Sequence, residues 1–95
     1  MQLKISYRRC MPKKSELIKK LLGRPMPTNY TVRELDALMS KCGCTKFNGG
    51  RGSGIGYCHE KTKRILQFDG PHPGHELYRY QIKMIIEFLR EVGEI

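Results

Sequence analysis

Hydrophobic and polar residues follow two different spacings along this chain, and each spacing predicts one kind of secondary structure. Apolar side chains three and four positions apart are typical of a helix with one buried face. Three stretches have this spacing: residues 15–22, 31–42 and 78–92. Three shorter stretches, bounded by glycines or charged turns, favour strands instead: residues 44–47, 55–60 and 64–69. The predicted order is therefore two helices, three strands and a final helix.

The predicted helices have recognisable ends. Thr31 and Glu34 are spaced as a capping box, in which each side chain accepts a hydrogen bond from a backbone N–H at the helix start. Gly43 supplies the left-handed residue that commonly follows a helix, and Ser15 is the expected N-cap of the first helix. Because Pro25 cannot continue that helix, we expect an extended connector before the second one.

The last two predicted strands are close enough in sequence to form an antiparallel hairpin that reverses at residues 61–63. With the first strand they give a three-stranded antiparallel sheet. Each helix has one apolar stripe, so the helices are expected to cover one face of this sheet. The predicted class is α+β, with the order α-β-β-β-α after a short N-terminal helix. The other sheet face and the glycine-rich residues 48–54 are left to meet a ligand.

The charge of the chain points to an anionic partner. Its 95 residues include 18 Lys and Arg against 9 Asp and Glu, a formal charge of +9 that opposes compaction. Nucleic acid is the commonest partner of such a surface, and an acidic protein is the alternative. The sequence has neither the apolar run of a membrane span nor a signal peptide, so we expect a cytoplasmic protein that does not bind membranes.

The chain divides into three predicted regions. Residues 1–14 are basic and expected to be disordered. Residues 15–30 contain the short helix and the proline-rich connector. Residues 31–95 have the length of one small domain.

Four cysteines raise the question of disulfides or zinc. A cytoplasmic protein keeps its thiols reduced, so we predict no disulfide framework. Cys42 and Cys44 are one residue apart, whereas structural zinc pairs are usually separated by two to four residues. Cys42 also falls on the apolar face of its helix, where cysteine behaves as a small hydrophobe. We therefore expect neither a metal nor a cofactor.

Three segments of residues 31–93 follow one another in an order that suggests a family. They are TVRELDALMSKCGC, the loop GGRGSG, and CHEKTKRILQFDGPHPGHELYRYQIKMIIEFLREVG. In this order and spacing the chain resembles the HicA toxins of type II toxin–antitoxin systems. The resemblance implies a fold like that of the double-stranded-RNA-binding domain and an endoribonuclease that cleaves mRNA to inhibit translation. It also implies a HicB-like antitoxin that covers the active surface.

One position departs from the pattern of that family. The resemblance implies a catalytic histidine directly after the Gly-Ser pair, but here Gly52-Ser53 is followed by Gly54. Loss of a general acid or base typically slows a reaction about 100- to 10,000-fold. Two other hypotheses therefore stand beside a ribonuclease: a module that binds RNA without cleavage and acts by occupancy, and a protein-interaction module that does not touch RNA.

If the chain cleaves RNA without a histidine at position 54, another histidine must supply the imidazole. Side chains alternate along a strand, which puts His59 on the face opposite Gly54. If the hairpin pairs Glu60 with residue 63, 64 or 65, antiparallel counting puts Gly54 opposite residue 69, 70 or 71. The loop containing His72 and His75 then borders the vacant position, and these two residues are the candidate catalytic groups.

Predicted RNA contacts combine cations with the glycine-rich loop. They are Lys46, Arg51, Gly52, Ser53, Arg64, Arg79 and Lys83. Glycines allow backbone N–H groups to approach a phosphate closely, and the alternative is a flexible hairpin loop without a ligand. Tyr78 and Tyr80 are candidates for stacking on unpaired bases, whereas Tyr57 is expected to be core or half-buried.

Overall fold

The computed structural model describes residues 13–48, 54–70 and 75–95. Its helices are α1 (Lys14–Leu21), α2 (Val32–Lys41) and α3 (Arg79–Glu91), and its strands are β1 (Cys44–Asn48), β2 (Gly54–His59) and β3 (Arg64–Asp69). This order confirms the predicted α+β class. Residues 1–12 of the expected leader lie outside the described residues, and Lys14 is already helical. None of the helices in these ranges has the length and apolar character needed to cross a membrane.

Local hydrogen bonds fix the ends of α2 and α3. The Thr31 hydroxyl accepts from the Glu34 N–H at 3.1 Å, and the Glu34 carboxylate accepts from the Thr31 N–H at 2.9 Å. The predicted capping box is therefore confirmed. Gly43 and Gly93 follow the two helices with φ of +80° and +83°, a conformation in which a side chain is strained.

The start of α1 differs from the prediction. Its N-cap is Lys13, and the predicted N-cap, Ser15, lies inside the helix. The reason is the position of Glu16, whose carboxylate accepts from the Lys13 N–H at 3.4 Å. With Ser15 as N-cap the corresponding position would be the apolar Ile18, which cannot form this reciprocal bond.

The strands form one antiparallel sheet in the order β1-β2-β3. Within the hairpin His59 pairs with Arg64 and Gly54 pairs with Asp69. The sequence left three registers open. The observed one has the shortest turn, because Glu60 lies opposite Lys63. β1 runs along the other side of β2, where Cys44 pairs with His59.

Helices cover one face of the sheet, as predicted, because α2 packs on β1 and α3 packs on β3. The covered face contributes Ile55, Tyr57, Leu66 and Phe68 to the core. The helices contribute the buried side chains Leu35, Leu38 and Met39 from α2 and Ile82, Ile85, Phe88 and Leu89 from α3. The resulting core lies between the helical layer and the sheet.

The opposite face of the sheet is largely exposed. Ile65, for example, is 58% exposed there. Phe47 and Gly56 are cross-strand partners on this face, and the ring of Phe47 occupies the space where a Cβ at position 56 would lie. Glycine at position 56 therefore lets the aromatic ring lie flat across β2.

Helix α1 belongs to the same core as the rest of the chain. Leu17 and Leu21 are each 1% exposed, and α1 packs on α2. The buried Tyr30 hydroxyl donates to the Leu17 carbonyl at 3.0 Å. An ion pair of 2.8 Å joins Lys20 to Glu34 at the start of α2. α1 and its connector are therefore packed parts of the fold.

Candidate functional site

The start of β2 and the end of β3 lie side by side at one end of the sheet, which we call the Gly54 end (Asn48, Gly54 and Asp69). Gly54 pairs with Asp69, and Asn48 pairs with the residue that follows Gly54. The ends of two segments that lie outside the described residues, 49–53 and 71–74, are therefore adjacent. These segments carry the predicted phosphate-binding loop and His72.

A buried glutamine holds the Gly54 end against the start of α3. The Gln81 side chain is 0% exposed. Its Nε2 donates to the Asp69 carbonyl at 2.7 Å, and its Oε1 accepts from the Tyr78 N–H at 2.8 Å. Gln81 is not among the residues predicted from the sequence, although a glutamine at the third position of a helix is a recognised partner for the N-cap N–H.

The segment after residue 74 returns to the start of α2. The Val32 N–H donates to the His75 carbonyl at 2.9 Å, and the Leu77 N–H donates to the Tyr30 carbonyl at 2.8 Å. The His75 side chain is exposed. It lines a cavity of about 550 Å³ together with Thr31, Val32, Arg33 and Asp36. An imidazole, a guanidinium and a carboxylate thus border one cavity.

Asp36, in the wall of that cavity, is shared by a lysine and a buried tyrosine. The Tyr57 hydroxyl donates to Asp36 at 2.5 Å, and Lys46 Nζ lies 3.1 Å from the same carboxylate. Burial, reinforced by Asp36, raises the pKa of Tyr57 far above its ordinary value, so the phenol stays protonated. Tyr57 is a core residue, as expected, and Lys46 already has a carboxylate partner.

Both α2 and α3 begin at the Gly54 end. α2 leads directly into β1 and therefore starts beside Asn48, while Gln81 fixes the start of α3 next to Asp69. Tyr78 and Tyr80 are 41% and 55% exposed there, with ring centroids 6.1 Å apart. Arg79 lies between them and is also exposed.

Two other predicted RNA contacts lie away from this end. Arg64 is at the opposite end of the sheet, where its guanidinium is 3.4 Å from the Glu91 carboxylate. Lys83 is one turn beyond Arg79 along α3 and lines a separate cavity. Arg51, Gly52, Ser53 and His72 lie outside the described residues.

The exposed face of the sheet is not basic. In the described parts of the strands it presents Thr45, Phe47, Cys58, Ile65, Gln67 and Asp69 beside its glycines, with no Lys or Arg. Lys46 and Arg64 share the helix-covered face with the buried core residues and reach solvent at its edges. The described strands therefore do not make a basic surface of the sheet face that the sequence analysis leaves to a ligand.

His59 is a structural residue. It is 2% exposed, its Nδ1 lies 2.9 Å from the Thr62 hydroxyl, and its Nε2 lies 3.0 Å from the Glu94 carboxylate. Strand alternation turns it away from Gly54, as predicted. Within residues 13–48, 54–70 and 75–95, the other histidine is His75, whose exposed side chain lies beside the start of α2.

The described residues hold no group of three or more His, Cys, Asp or Glu side chains arranged for a metal ion. Cys42 is 5% exposed and packs in the core, as expected. Burial raises the pKa of Cys42 and of Cys44 to about 11. Both thiols are therefore protonated at neutral pH in the metal-free protein.

A known protein family matches the part of the chain that forms most of this fold. A family model described as HicA toxin of bacterial toxin-antitoxin matches residues 32–93, which extend from the first residue of α2 to the glycine that follows α3. No curated protein and no solved structure matches the chain. α1 and its connector precede the matched residues.

Proposed function

Because the chain belongs to the HicA toxin family of bacterial toxin–antitoxin systems, we propose that it acts as a toxin by binding and cleaving mRNA, which inhibits translation. The observation that supports cleavage is the pairing of Gly54 with Asp69. His72 and His75 follow Asp69 in sequence, and we propose that one of them supplies an imidazole beside Gly54, the position that the family resemblance assigns to histidine.

The proposed chemistry is proton transfer around one phosphodiester. A neutral imidazole from His72 or His75 removes the proton of a ribose 2′-hydroxyl, whose oxygen attacks the adjacent phosphorus. The bond from phosphorus to the leaving 5′ oxygen breaks, which leaves a 2′,3′-cyclic phosphate, and the 5′ oxygen takes up a proton from water or from the protonated imidazole of the other histidine. Histidine suits this role because its ordinary pKa is close to neutral pH.

The proposed RNA contacts differ in how directly they reach this position. Arg51, Gly52 and Ser53 precede Gly54 in sequence, and Arg79 is exposed at the start of α3. Lys46 must leave Asp36 before it binds a phosphate. Contacts by Lys83 and Arg64 require RNA that extends from the Gly54 end along the helical side of the molecule.

A HicB-like antitoxin is the proposed protein partner. Family membership supports an antitoxin as such. We propose that it binds over the Gly54 end and excludes RNA from His75 and Arg79. Addition of the antitoxin should then abolish RNA cleavage at equimolar concentration.

Cleavage of labelled mRNA by the purified chain tests the proposal. We expect His72→Ala/His75→Ala to lower the cleavage rate at least 100-fold while RNA affinity changes little. Lys41→Ala is the matched control, since Lys41 is exposed at the far end of α2. Unchanged cleavage in the double variant would exclude both histidines.

The second candidate function is RNA binding by occupancy without cleavage. It is favoured by the absence of a side chain at Gly54 and by the orientation of His59 into the core. It predicts that the unmodified chain binds mRNA and blocks translation in a cell-free extract without shortening the transcript. If the chain neither binds nor cleaves mRNA, both candidate functions are wrong.

A further inference from the structure

A groove separates the end of α1 from the C-terminal half of α3. Its volume is about 410 Å³, and its floor includes Leu22, Met26 and Ile86. Leu22 is 38% exposed, in contrast to the neighbouring Leu21 at 1%. Met26 and Ile86 are partly buried against the core. The floor is therefore an apolar surface that packs on the core on one side and is open to solvent on the other.

Cations dominate the rim of the groove. Arg24, Lys83 and Arg90 line it together with one carboxylate, Glu87. The three cations have no ion-pair partner among residues 13–48, 54–70 and 75–95, whereas Lys14 and Lys20 of α1 are both paired. The groove thus combines an apolar floor with an excess of uncompensated positive charge.

We propose that this groove binds an acidic amphipathic helix of a partner protein. Apolar side chains of that helix fill the floor, and its Asp or Glu side chains face the cationic rim, which is the usual arrangement of an interface core and its polar border. Electrostatic complementarity of this kind accelerates association and selects acidic partners over basic ones.

The groove is distinct from the Gly54 end and shares only Lys83 with the proposed RNA contacts, so RNA and the acidic helix would compete for that side chain. Arg90 lies 12 residues beyond Tyr78 on α3, or about 18 Å along a helix. The groove also uses α1 and its connector, which precede the residues 32–93 matched by the family model. The inference therefore stands whether or not the Gly54 end cleaves RNA.

Charge argues against two other occupants. Residues 1–12 of this chain contain Lys4, Arg8 and Arg9 and no Asp or Glu, so they would be repelled by the rim. A second copy would present the same three cations to the first.

RNA fits the groove less well than an acidic helix. Among the described residues, the lining contains no aromatic side chain on which a base could stack. Glu87, between Lys83 and Arg90 in sequence, would repel a phosphate backbone. An apolar floor adds affinity for leucine-like side chains and adds none for phosphates and riboses.

Fluorescence anisotropy with the full chain tests the inference. The probe is a labelled synthetic amphipathic helix with leucines on one face and glutamates on the other. We expect it to bind, and a peptide with lysines in place of the glutamates to bind at least tenfold more weakly. Arg24→Glu/Arg90→Glu should weaken the acidic probe at least tenfold, and Leu22→Ser should weaken it several-fold.

The control variant is Lys41→Glu/Lys61→Glu, which changes the charge of the chain equally at exposed positions outside the groove. It should bind the acidic probe with an affinity close to that of the unmodified chain. Equal weakening by both double variants, or no binding of the acidic probe, overturns the inference. If Arg24→Glu/Arg90→Glu weakens only a labelled oligouridine, the groove belongs to RNA and the proposed partner is wrong.

Discussion

At the scale of single residues, the Gly54 end is organised by polar side chains that bridge separate parts of the backbone. Gln81 bridges the end of β3 and the start of α3 through two hydrogen bonds. Asp36 similarly joins α2 to Lys46 on β1 and Tyr57 on β2. Such bridges fix the position of the strand ends from which the candidate loops emerge.

Replacement of Gln81 by leucine should destabilise the protein. The substitution keeps the size of the side chain but leaves the Asp69 carbonyl and the Tyr78 N–H without their partner, at an expected cost of about 1–3 kcal/mol. Urea unfolding monitored by circular dichroism measures this cost. Glu87→Leu is the control, because that side chain is exposed on the same helix and its replacement should change stability much less. Equal effects of the two substitutions would contradict the role assigned to Gln81.

Local patterns predicted the residues whose partners are near in sequence. Thr31 and Glu34 are three positions apart, and the alternation that separates Gly54 from His59 needs only one strand. The bonds from Gln81 to Asp69 and from His59 to Glu94 span 12 and 35 positions. Such pairs leave no periodic pattern in the sequence, because they depend on how the elements pack together.

At the scale of elements, the sequence predicted three strands and three helices, including the short α1. The contribution of α1 to the core was not predicted, because an eight-residue amphipathic helix can equally lie on a membrane, a ligand or the domain itself. The choice among hairpin registers also needed the structure. Turn chemistry alone allowed three pairings, and the structure selects the one in which Lys63 adopts φ of +63°.

Leu17→Ala should destabilise the whole domain by about 2–5 kcal/mol, because it leaves a cavity in place of a fully buried side chain of α1. Thermal unfolding of the full chain measures the change. Leu22→Ala, at a position 38% exposed, is the matched control and should have a much smaller effect. An unchanged melting temperature for Leu17→Ala would mean that α1 is an appendage to a domain that is complete without it.

At the scale of the whole molecule, one carboxylate connects three regions. Glu94, after α3, accepts from Lys14 of α1 at 2.6 Å and lies 3.0 Å from His59 of β2. The hydrogen bond from Lys14, with His59 second, lowers the pKa of Glu94 below its ordinary value of 4.5. The N-terminal helix, the sheet and the C-terminal residues therefore meet at a single ionised group.

This arrangement predicts an acid-sensitive contribution to stability. A carboxyl with a lowered pKa in the folded state stabilises fully above its unfolded pKa, and the contribution disappears as the pH falls through the folded value. Glu94→Gln should therefore reduce the free energy of unfolding at neutral pH, and its difference from the unmodified chain should shrink below pH 4.5.

Urea unfolding at a series of pH values measures that difference. Glu87→Gln serves as the control, since the exposed Glu87 has no ion-pair partner in the described part of the chain. A constant difference between Glu94→Gln and the unmodified chain at every pH would contradict the assignment.

The contact between Phe47 and Gly56 also has a consequence for the evolution of this fold. Any side chain at position 56 must displace the aromatic ring that crosses β2, so the two positions form a compensating pair. Among homologues, a larger residue at position 56 should appear together with a smaller one at position 47. This linked variation would identify the exposed sheet face in distant relatives even where the residues of the Gly54 end have diverged.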